Sequence, residues 1–421
     1  MLRQSPYPLI AFDAALASVR SAFAPLPAEQ IALSAAAGRV LAAPVVAAEG
    51  MPPFDAASVD GWAVVAADGE GDRAVVGILD AGSSAPVVVR PGTAARIATG
   101  APLPPGADAV VMVEDSAPDG QGVVRVGILR APAVGDGIRP AGLDYAAGDV
   151  LLAAGQVLSP AAIGLAASAG AGRVAVHRRP RVAVFSSGDE LIGPDEALRP
   201  GAIRDGNRFA LAAAAAEAGA DVVTLGTLRD RAAELDALLG AAAAADLVLT
   251  TGGVSMGRLD LIKPWLAEHG RIVFGRVRVK PGKPVTFAVV AGRPFFGLPG
   301  FPVSALVCFE LFVRPALRRL AGHPDPERPV WSVRLAQPVE HAADRVEFAR
   351  AAVTMASDGP MARTTGAQGS GRLLSLSAAN ALLRLPEGRG ATAAGEQVPA
   401  MILGEVRAEP EPAPHGAPNG P

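Results

Sequence analysis

From residue 181 to residue 320 the chain alternates short apolar runs with alanine-rich helical stretches, and this alternation narrows the fold more than any other feature. Arg181-Val182-Ala183-Val184-Phe185 reads as a strand. Residues 209–218 read as a helix stopped by Gly219, 221–225 as a strand and 230–244 as a helix. A strand over 246–250, a helix over 259–268 and strands over 286–290 and 294–298 follow. A long helix over 302–320 closes the series, with a kink expected at Pro315, whose ring removes an N–H and crowds the preceding turn. Strand, helix, strand at this spacing implies right-handed parallel crossovers. The expected core is a doubly wound α/β sheet.

The flanks have a different grain. Residues 10–23 carry an amphipathic helical pattern ended by Pro25 and Pro27. Over 45–139, Gly and Pro are frequent and the apolar runs are short (62–65, 74–79, 86–89, 109–113, 122–129), which reads as a small β-rich domain. Helical character returns at Ser159-Pro160-Ala161-Ala162, with Ser as N-cap, Pro in the first turn and Gly170 as the stop. The β-rich segment is therefore expected to be an insertion between two helical pieces that pack together. After the linker His323-Pro324-Asp325-Pro326, residues 330–405 return to short strands. Residues 409–421 are proline-rich, too poor in apolar side chains to build a core, and expected to be disordered. The domain plan is thus 1–44 plus 140–178 as a helical, elongated linker domain, and 45–139 as the inserted β-rich domain. The α/β domain takes 179–325, a C-terminal small β-barrel-like domain 326–406, and a tail 407–421.

Composition excludes several classes. At 421 residues the chain is long enough for about two to four domains. A net charge of −3 gives no bulk attraction to nucleic acid. No apolar run is long enough for a membrane span, and residues 1–13 do not open a signal peptide. The single cysteine, Cys308, excludes an internal disulfide and a multi-cysteine zinc site, and its apolar surroundings point to a buried small hydrophobe. A reducing bacterial-type cytoplasm is the expected compartment.

Against this background the lysines stand out. Of 38 basic residues only Lys263, Lys280 and Lys283 are lysines, and two of them share Lys280-Pro281-Gly282-Lys283-Pro284. Lys and Asn share AT-rich codons, and an Ala/Gly/Pro/Arg-heavy composition points to a GC-rich genome, in which Arg replaces Lys wherever a generic cation serves. A lysine that persists points to a need for a compact three-donor ammonium. The same logic marks Asn207 and Asn380, with Asn419 in the tail as a control.

In an open α/β sheet, ligands bind beyond the carboxyl ends of the strands. Three loops fall there: 186–190 with Ser187 and Gly188, 250–255 with Gly252, Gly253 and Ser255, and 298–304 with Pro299, Gly300, Pro302 and Ser304. Each alone reads as a tight turn. Three on one edge suit a phosphate-bearing ligand, since glycine lets backbone N–H groups approach an anion. Lys280 and Lys283 precede the third loop and are placed to reach an oxyanion held there. Asp55, Asp60, Asp144, Asp189, Glu190, Asp230 and Asp260 lie in loops or at helix starts. Singly they are N-caps or solvated turn residues; converging, they suit a hard cation such as Mg²⁺. The five histidines show no ligand spacing. Residues 99–111 form a restrained loop leading into a strand.

In order along the chain these motifs are Pro53-Phe54-Asp55 through Asp60-Gly61-Trp62, the 99–111 loop, Ser187-Gly188-Asp189-Glu190-Leu191, and Asp205-Gly206-Asn207-Arg208. Residues 251–257 with Asp260, the Lys280–Pro284 pentapeptide, Leu298-Pro299-Gly300 with Pro302-Val303-Ser304, and Gln368-Gly369-Ser370-Gly371 complete the set. The ordered set resembles the molybdopterin molybdenumtransferases, the MoeA and gephyrin E-domain family, over about residues 10–405. The resemblance implies that the α/β domain binds molybdopterin. It implies an enzyme that takes adenylated molybdopterin and molybdate, hydrolyses the adenylate, inserts molybdenum and releases AMP and molybdenum cofactor. It further implies Mg²⁺, a homodimer with a cleft between the α/β domain of one subunit and the inserted domain of the other, and handover with a molybdopterin adenylyltransferase. By motif position Asp60, Thr99, Asp144, Glu190, Asp230 and Asp260 match the polar cleft residues, of which Asp60, Glu190, Asp230 and Asp260 are the expected metal ligands. Lys280, Lys283, Ser370 and an arginine of the 345–350 segment, Arg350 being the choice, match the oxyanion-binding region.

The chain departs from the family pattern at Ala56-Ala57-Ser58-Val59, Trp62, Phe301, Arg258-Leu259 and Leu261. An adenylyltransferase, a nucleotide-processing amidohydrolase and a gephyrin-like scaffold are the competing expectations. The first two lack the Lys280–Pro284 motif or match only the central domain, and no extra partner-binding domain is evident for the third.

Overall fold

The computed structural model describes residues 6–82, 86–119, 124–229, 234–235, 240, 242–254 and 261–408. The chain forms two compact units, one made of Met1–Glu29 with His177–Pro421 and the other of Gln30–Val176.

The first unit contains the expected α/β sheet. Its six strands lie in the order Asp221–Leu228, Arg181–Ser187, Leu247–Thr251, Arg293–Leu298, Thr286–Val290 and Gly270–Phe274. The first four are mutually parallel. The last two join by antiparallel pairing. Alternate side chains enter opposite cores: Val182, Val184, Leu247 and Leu249 on one face, Ala183, Phe185 and Val248 on the other. Helices cover both faces, which is why these strands are apolar on both sides. Asn207–Glu217 and the helical run from Pro302 to Leu320 cover the first face, and Ile262–His269 covers the second.

Three details differ from the sequence reading. The strand Gly270–Phe274 follows directly on a helix ending at His269, so no turn signal separates them. The strands Thr286–Val290 and Arg293–Leu298 form an antiparallel hairpin and not a parallel crossover, because two residues cannot carry the chain back across the sheet. The long helix is broken before Pro315: a π-helical segment, Phe309–Val313, separates Pro302–Cys308 from Arg314–Leu320. Widening the ladder one turn earlier accommodates the absent proline N–H. The expected helix over 230–244 lies largely outside the described residues.

The C-terminal region is a closed five-stranded barrel. Val346–Ala356, Gly359–Thr364, Val330–Leu335, Gln397–Ile402 and Ala381–Leu385 pair in turn, and the last pairs with the first. Its interior is lined by Ala349, Ala351, Ala362, Ala381 and Ala400 beside Val and Leu, and such small side chains fit so narrow a barrel. A two-residue strand, Val279–Lys280, adds in parallel to Val346–Ala356, with Lys280 opposite Glu347. Asn380 holds the barrel together, since its amide accepts from Val353 N–H at 2.7 Å and donates to the Val353 and Glu405 carbonyls at 2.9 and 2.8 Å.

The second unit carries a six-stranded sheet in the order Ala109–Met112, Gly61–Val64, Thr93–Ile97, Gly71–Leu79, Arg125–Ile128 and Ser116–Pro118. Its two faces bury separate cores, Ala63, Ala95 and Ile97 in one, Trp62, Val64 and Val126 in the other. Thr93–Ile97 is a central strand, whereas the run 86–89 is none. Two alanines and an arginine hide that strand's β character, and pairing on both edges overrides the weak propensity. The helix Pro160–Ser168 has the expected Ser159 cap, whose hydroxyl accepts the Ala162 N–H at 3.2 Å.

The helices Phe12–Ala22 and Pro160–Ser168 were expected to pack together, but each serves its own unit. Phe12 sits 5.7 Å from Phe312 and 5.1 Å from Phe348 between ring centroids, and Phe23 stacks on Phe287 and Phe296. Aromatic partners in the α/β core thus claim the first helix. Leu33, Leu41, Leu152 and Val174 surround the second.

Candidate active site

The three Gly-containing loops do meet, at the carboxyl ends of the adjacent parallel strands Arg181–Ser187, Leu247–Thr251 and Arg293–Leu298. Gly252 has φ +89°, and a Cβ on it would fall 2.3 Å from the Ser187 carbonyl oxygen, so only glycine lets the second loop lie against the first. The Gly252 N–H donates to the Leu298 carbonyl at 3.1 Å, joining the second loop to the third. Ser187 and Ser304 are buried, Gly300 is exposed, and Pro302 occupies the first turn of its helix.

Asp205 and Asn207 tie these loops from beneath. The Asn207 amide donates to Thr251 Oγ1 at 3.0 Å and to the Gly300 carbonyl at 2.7 Å. The Thr251 hydroxyl donates onward to the Pro299 carbonyl at 3.0 Å. The buried Asp205 carboxylate accepts from the Ser186 and Thr227 hydroxyls and from Arg208 Nε. These hydrogen bonds give the loops a fixed starting arrangement, although Thr250 Oγ1 in the second loop is buried without a partner. Glu190 is exposed, and its carboxylate lies over Gly188, where a Cβ would come within 2.5 Å of it.

A second constellation surrounds the lysine pentapeptide. Lys280 Nζ lies 3.1 Å from the Glu347 carboxylate, the lysine half-exposed and the glutamate buried. The same Glu347 oxygen accepts the Ala342 N–H at 2.8 Å. Asp344 pairs with Arg345. That hydrogen bond, with Lys283 as a weaker long-range partner, holds the exposed Asp344 carboxyl below its ordinary pKa. Gly282 has φ +118°, and a Cβ there would meet Cys308 Sγ at 2.3 Å. The turn therefore needs glycine against the helix, and Cys308 is the buried small side chain it packs on, its thiol pKa raised by burial.

Arg350 is fully buried. Its Nε donates to Ser375 Oγ at 2.8 Å and its Nη2 to the Ala367 and Gly369 carbonyls at 3.1 and 3.2 Å, while Nη1 has no partner. Arg350 thus shapes the loop that bears Ser370, whose carbonyl in turn accepts the Val303 N–H at 3.1 Å. Lys263 is buried, and its Nζ donates to the Gly275 carbonyl at 2.7 Å.

In the other unit Asp60 and Thr99 are joined. The Thr99 N–H and hydroxyl donate to Asp60 Oδ1 at 2.7 and 2.9 Å. These two bonds, backbone first, hold the exposed carboxyl below its ordinary pKa. Asp144 is exposed on a loop whose backbone pairs with Met51, its N–H donating to the Met51 carbonyl at 2.9 Å. Trp62 is buried in the small sheet, its Nε1 donating to Ser116 Oγ at 2.9 Å. That departure from the family pattern is absorbed by packing. Phe301, by contrast, is 63% exposed.

Three family models match in order: the MoeA N-terminal region (domain I and II) over residues 10–170, a probable molybdopterin binding domain over 183–319, and the MoeA C-terminal region (domain IV) over 332–403. The molybdopterin molybdenumtransferase 2 of Mycobacterium tuberculosis H37Rv is 41% identical over 388 residues, covering 87% of this chain and 93% of that protein.

The chain belongs to the molybdopterin molybdenumtransferase family.

A Nostoc molybdopterin molybdenumtransferase is 37% identical over 390 residues, covering 89% of this chain and 88% of its own. The crystal structure of the Pyrococcus horikoshii MoeA molybdopterin biosynthesis protein superposes with a TM-score of 0.82 at 31% identity, covering 94% of this chain and all of that one. In this member of the molybdopterin molybdenumtransferases, Ser255, Asp230 and Asp260 lie outside the described residues. Among the described residues no group of three His, Cys, Asp or Glu side chains is gathered to hold a metal ion. Of the four expected metal ligands, Asp60 and Glu190 are described, and they belong to different units. Sequence reasoning did not assign a role to Asp205 or Glu347. The rarity of asparagine pointed at Asn207 and a family motif at Asp205, but no local signal marks Glu347, whose importance appears only through strand register with Lys280.

Proposed function

We propose that this chain inserts molybdenum from molybdate into adenylated molybdopterin, hydrolysing the adenylate and releasing AMP and molybdenum cofactor. What supports the reading is the set of three stapled loops at one sheet edge, in a chain of this family, next in sequence to a two-lysine turn. The matched N- and C-terminal models extend well beyond a central sheet domain, which disfavours an adenylyltransferase or amidohydrolase. The same full set of enzyme domains, with named transferase relatives, disfavours a scaffold as the main role.

In this proposal the loops at Ser187-Gly188, Gly252-Gly253 and Pro299-Gly300 receive the pterin and nucleotide phosphates through backbone N–H groups and hydroxyls, with Ser304 and Pro302 at the opening of the third-loop helix. Lys280 and Lys283 meet the molybdate dianion, because an ammonium offers charge and three donors to a tetrahedral oxyanion. Ser370 and the unpartnered Arg350 Nη1 complete that region. Asp60, Thr99, Asp144 and Glu190 are proposed as polar cleft groups, joined by Ser255, Asp230 and Asp260. A requirement for Mg²⁺ is proposed from substrate chemistry alone, since a hard cation offsets the charge of a phosphoanhydride. A homodimer, a cytoplasmic location and handover from a molybdopterin adenylyltransferase belong to the same proposal. No helix among the described residues is long and apolar enough to cross a membrane.

The test is AMP release from adenylated molybdopterin, measured with and without molybdate, with Mg²⁺ or EDTA, and with tungstate in parallel. Release that needs molybdate is expected. Release indifferent to the oxyanion would refute insertion coupled to hydrolysis, and light scattering of the same sample reads the dimer.

A further inference from the structure

The Lys280 ammonium does not stand alone at the rim. Glu347 is 3% exposed and Lys280 44% exposed, with 3.1 Å between them. The carboxylate has no freedom to swing away: its oxygen also accepts the Ala342 N–H at 2.8 Å, and the parallel register of Val279–Lys280 on Val346–Glu347 fixes both backbones. Around it, Lys280, Lys283 and Arg345 face Glu347 and Asp344. With the buried Arg350, which also feels Glu347, four cations less two carboxylates leave two net positive charges, enough to match a dianion only if the ammonium held by Glu347 is counted. An incoming oxyanion therefore has to share, or take over, an ammonium that is already hydrogen-bonded, and does so against the field of a fixed carboxylate.

We propose that Glu347 is a resident competitor for Lys280, a positioning residue that holds the ammonium between turnovers and sets how tightly the rim binds an oxyanion dianion. This rests on the reading that Lys280 meets molybdate. Its consequence is a brake on affinity: product and stray oxyanions leave readily, and only a dianion presented with its partner substrate holds the lysine. The opposite expectation follows if Glu347 is merely structural, for then its loss frees the lysine side chain and weakens binding.

Glu347→Gln separates the two, because the amide keeps an acceptor for the Ala342 N–H and removes the charge. Titration calorimetry of the full chain with sodium molybdate and sodium tungstate at fixed ionic strength reads the result. At separations of several Å, carboxylate–dianion repulsion exceeds 1 kcal/mol even at an effective dielectric near 20, so the Kd is expected to fall about tenfold. Glu347→Asp, which keeps the charge, is expected to stay within about threefold of wild type. A Kd that is unchanged or raised in Glu347→Gln overturns the proposal. Wild-type protein needs no variant for a second reading: with three lysines in the chain, ¹³C-lysine labelling gives three side-chain environments, assigned by Lys280→Arg. Saturating molybdate should move the Lys280 signal, and a Lys280 signal that stays put overturns the proposal even if the glutamine variant fails to fold. Absence of any molybdate binding by wild type would instead remove the underlying reading, a different result from binding that Glu347→Gln leaves untouched.

Discussion

The carboxyl edge of the α/β sheet and the rim around Lys280 are built from different materials. The edge is lined mainly by uncharged groups, glycine backbone, hydroxyls and an asparagine that donates to Thr251 and Gly300, with the Asp205–Arg208 ion pair closed beside them. Its order comes from hydrogen bonds closed within the protein and from a 2.3 Å approach that excludes any Cβ at Gly252. The rim is charged, partly exposed, and balanced by the ion pairs Lys280–Glu347 and Arg345–Asp344. One region is fixed by geometry and the other by charge. Damage to the first should therefore appear in stability as much as in activity, and damage to the second chiefly in oxyanion use.

The largest expected effect is at the rim. Replacing both Lys280 and Lys283 by Ala removes two charge-assisted contacts to a dianion, each worth about 1.5–3 kcal/mol, so molybdate-dependent AMP release should fall at least about 100-fold. The melting temperature should also fall by about 2–5 °C, since the lysine is half-exposed but the Glu347 carboxylate it leaves behind is buried. A double variant with wild-type insertion rate would end the assignment of the rim. Next is Gly252→Val, which brings both a left-handed φ of +89° and an overlap with the Ser187 carbonyl. A cost of about 3–5 kcal/mol is expected, seen as a drop of about 10 °C in the melting temperature, with activity lost at temperatures where the protein is still folded. If Gly252→Val melts like wild type, the edge is not held by close approach.

The difference between the two regions also explains what the sequence could reveal. Strands such as Arg181–Ser187 were legible because both faces are buried and the apolar pattern is continuous. The glycine loops were legible because glycine marks close backbone approach. The strands Gly270–Phe274 and Thr93–Ile97 were not, one adjoining a helix without a turn and the other rich in alanine. Lysine scarcity pointed to Lys280, but its partner Glu347 depends on a parallel register between distant segments, which local pattern does not encode. The same scarcity misdirected at Lys263, which is buried on the Gly275 carbonyl. For Asn207 it pointed well, and the reason is visible only in three dimensions, where one amide reaches two loops.

Asn207→Ala tests that reach. It removes two hydrogen bonds and leaves the Thr251 and Gly300 oxygens short of a donor, a loss of about 1–2 kcal/mol in stability. Looser loops should also lower kcat/KM for the adenylated substrate about tenfold while leaving the Kd for free molybdate unchanged. A variant that loses molybdate affinity instead would mean that edge and rim are one device and the contrast between them is false.

The smallest effect belongs to Asp60 and Thr99, in the other unit, where a carboxylate is shaped by hydrogen bonds at an exposed position. The Thr99 N–H and hydroxyl hold the Asp60 carboxyl below its ordinary pKa. A depressed carboxylate pKa contributes stability that is present above the unfolded value, near 4, and is lost as pH falls through the lower folded value. Thr99→Val removes the hydroxyl and keeps the N–H, so the Asp60 pKa should rise part of the way back, read by NMR titration of the carboxyl carbon. The stability gap between wild type and variant should be constant near neutral pH and close below about pH 4. A gap that widens on acidification would reverse the sign and show that Thr99 favours the protonated acid. An Asp60 that titrates identically in both proteins would show that the backbone N–H alone sets its charge, as the larger of the two causes already inclines it to do.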